Sequence, residues 1–144
     1  MTDFQKTLMP QLSLTCTEMR RAFAQQVGMS QTRVQLLMFL SHGEMSHADL
    51  QQRLVLDGAT LTRQIKQFEV EGTVSRRLDP QDNRYTLVSL TSAGQQIAAG
   101  LIAASEAFQQ QLLDGIPTEE QQIILRALNQ VRANVRRIET EGEK

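Results

Sequence analysis

Between residues 58 and 67 the chain reads GATLTRQIKQ, and the side chains there that can do chemistry are hydroxyls, a guanidinium, an ammonium and an amide. A guanidinium offers two parallel N–H groups that match guanine O6 and N7, and a carboxamide matches adenine N6 and N7. Arg63 is therefore the candidate for a guanine contact and Gln67 for an adenine contact. Thr60 and Thr62 suit a phosphate or a thymine methyl. Lys66 suits a phosphate, which adds affinity without sequence information. The preceding Gly58 and Ala59, with Thr60, make a small first turn that permits close approach to a groove. A second polar group follows in VSRRL and DPQDNR: Arg76, Arg77, Asp82 and Arg84. Arg84 lies at the tip of a turn, where a guanidinium can enter a narrow, strongly negative minor groove. Asp82, two residues earlier, would hold that guanidinium or order the turn. The competing reading of both groups is a solvated helix face and a local surface ion pair.

These residues act together only if the elements beneath them are right. Leu61, Ile65 and Phe68 recur at helical spacing and define a buried side. At about 100° per residue, Ala59, Arg63, Lys66 and Gln67 then fall on the opposite side, with Thr60 and Thr62 on the flanks. Asp57 suits the N-cap of this helix and Gly72 its end. A shorter helix precedes it, opened by Ser46 with Asp49 three places on as a weak capping box, and with Leu50 and Leu54 inward. Strand-like runs at 74–78 and 85–91 flank the Pro/Asp/Asn turn. Two helices followed by a two-stranded ribbon make a helix-turn-helix with a wing, and that order points to double-stranded DNA as the ligand.

Longer helices lie on either side. Leu8, Leu12, Cys16, Met19, Phe23 and Val27 form a stripe in a helix expected over residues 4–27 and stopped by Gly28. Ser30 caps the next, with Val34, Leu37, Met38 and Leu40, up to Ser41-His42-Gly43. Thr91 caps an Ala- and Gln-rich helix over 92–113. Pro117-Thr118 restarts the chain, with Thr118 and Gln121 spaced as a capping box. The last helix repeats Ile124, Leu128, Val131, Val135 and Ile138. A regular apolar stripe on a terminal helix needs a partner, and in so small a chain that partner is expected to be a second copy. The expected fold is mainly α with a small β-ribbon wing. A winged helix-turn-helix region at 30–91 sits on a helical dimerisation region made of residues 1–29 and 92–144.

Composition narrows the function. Net charge is −1, and residues 46–91 carry 6 Lys or Arg against 6 Asp or Glu. Affinity for DNA must then come from where the cations sit and not from their number. With 4% aromatic residues and no Trp, the core must be aliphatic. No apolar run is long enough to span a membrane, no signal peptide is visible, and the single Cys excludes an internal disulfide, so a cytoplasmic protein is expected. There is no Gly-rich phosphate loop, nucleophile elbow or HExxH helix, so an enzyme is not expected, nor is a cofactor. A winged domain that binds protein instead of DNA is the rival. It would place apolar residues where Thr60, Thr62, Arg63, Lys66 and Gln67 stand.

The run LDGATLTRQIKQFEVEG followed by VSRRLDPQDNRYTLVSLTSAG resembles the MarR family of winged-helix regulators, named for multiple antibiotic resistance. The likeness lies in the helix ending Glu69-Val70-Glu71-Gly72, the Asp-Pro-x-Asp-x-Arg wing and the LTSAG entry to the next helix, and it extends over nearly the whole chain. It implies a two-fold dimer built by the first and last two helices and a pseudo-palindromic operator. It also implies repression in most members, and release when a small aromatic or anionic effector enters the crevice between dimer body and winged domain. By position Arg63 matches the family's helix arginine, and Asp82 and Arg84 its wing pair. Gln51 stands where Ala is common and Val55 where Gly is common. One Tyr and no Trp leave little stacking surface for an aromatic effector. A redox alternative rests on Cys16, because the hydroperoxide-sensing branch uses a Cys in the first helix. Those sensors hold the thiolate with nearby tyrosines, which this helix lacks, and a thiol on an apolar stripe is ordinarily inert. A metal-sensing alternative rests on His42, Glu44 and His47, which resemble the family's zinc-sensing branch. That branch carries more His than this chain's two, and zinc needs three or four correctly disposed ligands, with Cys16 coming from a distant helix. His47 is expected to be exposed at a helix start.

Overall fold

The fold was analysed in a computed structural model that describes residue 3 and residues 6–144. Six helices and three short strands follow one another as α1 (Leu8–Val27), α2 (Gln31–Leu40), β1 (Met45–Ser46), α3 (His47–Leu54), α4 (Gly58–Val70), β2 (Val74–Leu78), β3 (Thr86–Leu90), α5 (Ser92–Leu112) and α6 (Thr118–Gly142). The chain divides into two units, residues 1–106 and 107–144. Among the described residues no helix is long and apolar enough to cross a membrane.

The core of the first unit is aliphatic, apart from one ring. Leu36, Leu37 and Leu40 of α2 meet Leu50 of α3, Leu61, Ile65 and Phe68 of α4, Val74 and Val88 of the sheet, and Leu101 of α5. Each large side chain removed from water in this way contributes about 1.5–3 kcal/mol. The helix starts are local in origin. Ser30 accepts from the Arg33 N–H at 3.2 Å, Ser46 from the Asp49 N–H at 3.1 Å and Asp57 from the Thr60 N–H at 2.8 Å. Gly28 (φ 71°) and Gly72 (φ 76°) end α1 and α4 in the left-handed region, where glycine meets no Cβ penalty.

The sheet has the order β1-β3-β2, antiparallel throughout, with Val74 opposite Leu90, Leu78 opposite Thr86, and Met45 opposite Val88. Strand β1 was not expected. Two residues are too few for a periodic signal, and their pairing with β3 is a long-range event. It ties the start of α3 to the middle of β3. The expected start of α1 at residues 4 and 5 lies outside the described residues, and the helix proper begins at Leu8. The Thr118–Gln121 capping box does not form. Pro117 occupies the N-cap, Thr118 is the first helical residue, and the Gln121 amide donates instead to the Ile116 carbonyl at 2.8 Å. Proline at 117 presets the extended backbone there, which moves Thr118 one place into the helix.

Two backbone positions decide local geometry. At the turn between α3 and α4, Val55 adopts φ 53° and ψ 47° with its side chain 87% exposed. A β-branched residue in that region is strained by about 1–3 kcal/mol, which tertiary packing must sustain. At the start of α5, Thr91 Oγ1 donates to the Gly72 carbonyl at 2.6 Å and accepts the Gly94 N–H at 3.1 Å. The Thr91 N–H meets the Thr73 carbonyl at 3.0 Å. Gly94 is pressed so closely on that carbonyl that a Cβ would collide with backbone. The threonine and glycine of LTSAG thus weld the end of α4 to the start of α5.

Val55→Gly should raise the stability of the fold by about 1 kcal/mol, read as a higher denaturation midpoint at unchanged m. Gly94→Ala should lower it by about 1–3 kcal/mol in the same experiment, because the backbone it meets cannot give way.

Candidate nucleic-acid interface

The inward side of α4 is set by Leu61, Ile65 and Phe68, each at most 1% exposed. That burial leaves Ala59, Arg63, Lys66 and Gln67 exposed on the other side, with Thr60 and Thr62 partly covered on the flanks. Gly58 begins the helix, and the nearest group to a Cβ there is the Gln51 amide at 3.4 Å. Gln51 therefore occupies space beside the first turn of α4 that a smaller residue would leave open.

Several of these side chains have partners within the fold. Thr62 Oγ1 lies 3.3 Å from His47 Nε2, a bond that crosses from α4 to α3. His47 is consequently half-buried against α4, not exposed at a helix start as expected. Thr60 donates its hydroxyl proton to Asp57 at 2.7 Å and accepts weakly from Arg63 Nη2 at 3.4 Å. The Thr60 hydroxyl, followed by the Thr60 backbone N–H, holds the Asp57 carboxyl below its ordinary value.

The wing tip is built by its own acids. Asp79 Oδ1 accepts the Gln81 N–H at 2.9 Å and Asp82 Oδ1 the Arg84 N–H at 3.1 Å. The Asp79 N–H meets the Tyr85 carbonyl at 2.9 Å, which closes the loop. Short carboxylates that bond backbone two residues ahead, with a proline between them to preset φ, fold such a turn without help from the core. Asp82 also takes the Arg84 guanidinium through Nε at 3.0 Å and Nη2 at 2.8 Å. This pairing lowers the Asp82 carboxyl and raises Arg84. The Arg84 side chain is still 84% exposed, so it is aimed by Asp82 without being covered.

The other two wing arginines are placed differently. Arg76 makes a two-pronged pair with Glu69 of α4 at 3.0 and 2.8 Å. Arg77, on the other face of β2, makes one with Glu44, just before β1, at 3.0 and 2.7 Å. Both glutamates are held below the ordinary carboxylate value, chiefly by these hydrogen bonds. Arg76 and Arg77 brace the ribbon against α4 and the β1 segment, while Arg84 reaches out. Between α4 and the wing lies a concavity of about 430 Å³ whose lining includes His47, Gln51, Thr62, Arg76, Arg84 and Tyr85.

One important residue escaped sequence reasoning. Arg33 of α2 stacks over the Phe68 ring at 4.4 Å and pairs with Glu71 at 2.8 Å, locking α2 to the C-terminal end of α4. Its partner is 38 positions away, and no local pattern signals it. Cys16 is half-buried on α1, and the single tyrosine, Tyr85, belongs to the wing. Among the described residues no three His, Cys, Asp or Glu side chains converge as a metal site. Glu44 and His47 already hold Arg77 and Thr62.

The comparisons agree with this architecture. Residues 29–86 match the family model described as the MarR family. The chain is 40% identical over 113 residues to the uncharacterized HTH-type transcriptional regulator YdgJ of Bacillus subtilis (strain 168), covering 78% of this chain and 69% of that protein. It is 34% identical over 59 residues to the organic hydroperoxide resistance transcriptional regulator of the same organism, covering 41% of this chain and 40% of the relative. The crystal structure of wild-type MarR in its apo form from E. coli superposes with a TM-score of 0.77 at 20% identity. That likeness covers 87% of this chain and 96% of the other, and it speaks for the fold alone. With the α4 face, the braced wing and the Thr91–Gly94 junction in place, the chain belongs to the MarR family of winged helix-turn-helix transcriptional regulators.

Proposed function

We propose that this regulator is a homodimeric, cytoplasmic repressor that reads a pseudo-palindromic operator in double-stranded DNA. In this reading α4 enters the major groove, the wing reaches the adjacent minor groove, and a small-molecule effector releases the complex. The observation that carries it is the exposed row of Arg63, Lys66 and Gln67 beyond the small Ala59, on a helix whose other side is buried, next to an exposed Arg84 held by Asp82. Arg63 and Gln67 address base edges, Thr62 the flanking backbone and Lys66 a phosphate, while Thr60 offers its methyl to a thymine. Gly58 and Ala59 permit close approach. Arg76 and Arg77 contribute by fixing the wing and by the positive charge they keep near the duplex. Residues 30–91 form the DNA-binding region.

Dimerisation through residues 1–29 and 92–144 is supported by α6, a 25-residue helix with no buried residue. Its Ile124, Val135 and Ile138 are 40%, 47% and 62% exposed, more apolar surface than a lone helix leaves in water. Effector binding is supported by a pocket of about 260 Å³ between the end of α2, β3 and α5. Leu40, Leu90 and Ile102 supply apolar wall, and Ser41, Ser89 and Gln95 supply hydrogen-bonding groups. Among the described residues that lining holds the Glu44 carboxylate and no arginine, lysine or aromatic ring, so a non-aromatic ligand without negative charge fits it better than an aromatic carboxylate.

The test is selection of genomic fragments by the purified protein at near-physiological salt, read by sequencing. Enrichment of a short inverted repeat is the expected result. A folded, dimeric protein that enriches nothing would favour a protein-binding winged module. Arg63→Ala should cost about 1–3 kcal/mol of operator binding and relax preference at one base position per half-site. Arg84→Ala should weaken binding and reduce any preference for AT-rich flanks, measured on operators that differ only there. Unchanged binding by both variants would overturn these contacts.

A further inference from the structure

Asp57 does more than cap α4. Its Oδ1 accepts the Thr60 N–H at 2.8 Å, which is the capping bond, and its Oδ2 accepts the Thr60 hydroxyl at 2.7 Å. A hydroxyl has one proton. With that proton held by the carboxylate, Thr60 presents only lone pairs elsewhere, and Arg63 Nη2 lies 3.4 Å from the same oxygen. The contact is long, yet its direction is dictated: were the hydroxyl proton turned toward Arg63, two donors would face each other.

The geometry points to Asp57 as a positioning residue for base readout that acts through Thr60. It fixes Thr60 as an acceptor, Thr60 tethers one corner of the Arg63 guanidinium, and the remaining N–H groups are left to the base. The inference rests on the reading of Arg63 as a base contact. An exposed arginine samples many rotamers, and restraining it before binding removes part of the ordering cost that only the specific complex recovers. The Asp57 carboxylate is also a like charge to the phosphates, so it disfavours loosely held, sequence-independent complexes. Asp57 should therefore raise discrimination while lowering non-specific affinity. A residue that served only as a cap would leave discrimination at the positions read by Arg63 unchanged.

Asp57→Asn separates the two roles. The amide oxygen still caps, whereas the amide nitrogen donates to Thr60 Oγ1 and frees the hydroxyl proton toward Arg63. The full chain, Asp57→Asn, Arg63→Ala and the double variant would be titrated against the selected operator, operators changed one base pair at a time, and an unrelated duplex. Asp57→Asn is expected to lose about tenfold in discrimination at the positions where Arg63→Ala loses it. Binding to the unrelated duplex should be unchanged or tighter, with a thermal midpoint within about 4 °C of the parent. The double variant should lose no more than Arg63→Ala alone.

Parental discrimination by Asp57→Asn, where Arg63→Ala loses it, would refute the proposal and leave the base-contact reading standing. Parental discrimination by both variants would refute the base-contact reading itself. A uniform loss on every duplex that tracks a lowered thermal midpoint would reduce Asp57 to a cap. Asp57→Ser keeps one capping oxygen and lacks the second; it gives the same readout should the Asn variant not fold.

Discussion

The rotation of α4 about its own axis is the quantity on which the site depends. Leu61, Ile65 and Phe68 are buried against α2, α3 and the sheet, and they leave the helix one rotational setting. A roll of one residue, about 100°, would turn Lys66 and Glu69 toward the core in one direction and Thr60, Gln64 and Gln67 in the other, where an unpaired charged or polar group is far more costly than any contact it could make outside. The Arg33 guanidinium reinforces that setting from the edge, stacked on the Phe68 ring and paired with Glu71 at the helix end.

Charge placement is the second organising fact. Residues 46–91 carry equal numbers of acids and cations, and the structure shows where much of that balance goes. Glu69 holds Arg76 and Asp82 holds Arg84, while Glu44, just before that segment, holds Arg77. As surface pairs these contribute modestly to stability. Their consequence is geometric: each pair sets the direction of a long, flexible side chain. Two of them brace the wing and the third aims its tip. A regulator arranged in this way is not a general polycation, and its affinity must come from fit.

The fold also tolerates local conflict where a long-range need prevails. Val55 sits in a backbone region that suits glycine, because the chain must turn sharply from α3 into α4 for the inward leucines of both helices to meet. Gly94 is needed for the reverse reason. There the backbone of Thr73 comes so close to α5 that only a hydrogen fits. Thr91, bonded to both Gly72 and Gly94, turns this close approach into a fixed angle between the end of α4 and the start of α5.

Much of this is legible in the sequence, because the signals are local. Helical spacing placed Leu61, Ile65 and Phe68 on one side and Arg63 on the other. Ser30, Ser46, Asp57 and Thr91 announced helix starts, and DPQDNR folds its own turn. Where local signals compete, the reading failed: Thr118 looked like a cap, but the preceding proline takes that place. What the sequence could not decide were contacts between residues far apart in the chain. The two-residue β1, the Arg33–Glu71 lock, the bracing of Arg76 and Arg77, and the half-buried His47 against Thr62 each depend on elements being brought together by the core. The physical reason is common to all of them. Periodicity and capping act within a few residues, whereas the direction of a guanidinium or the pairing of a short strand is fixed only when distant backbone arrives beside it.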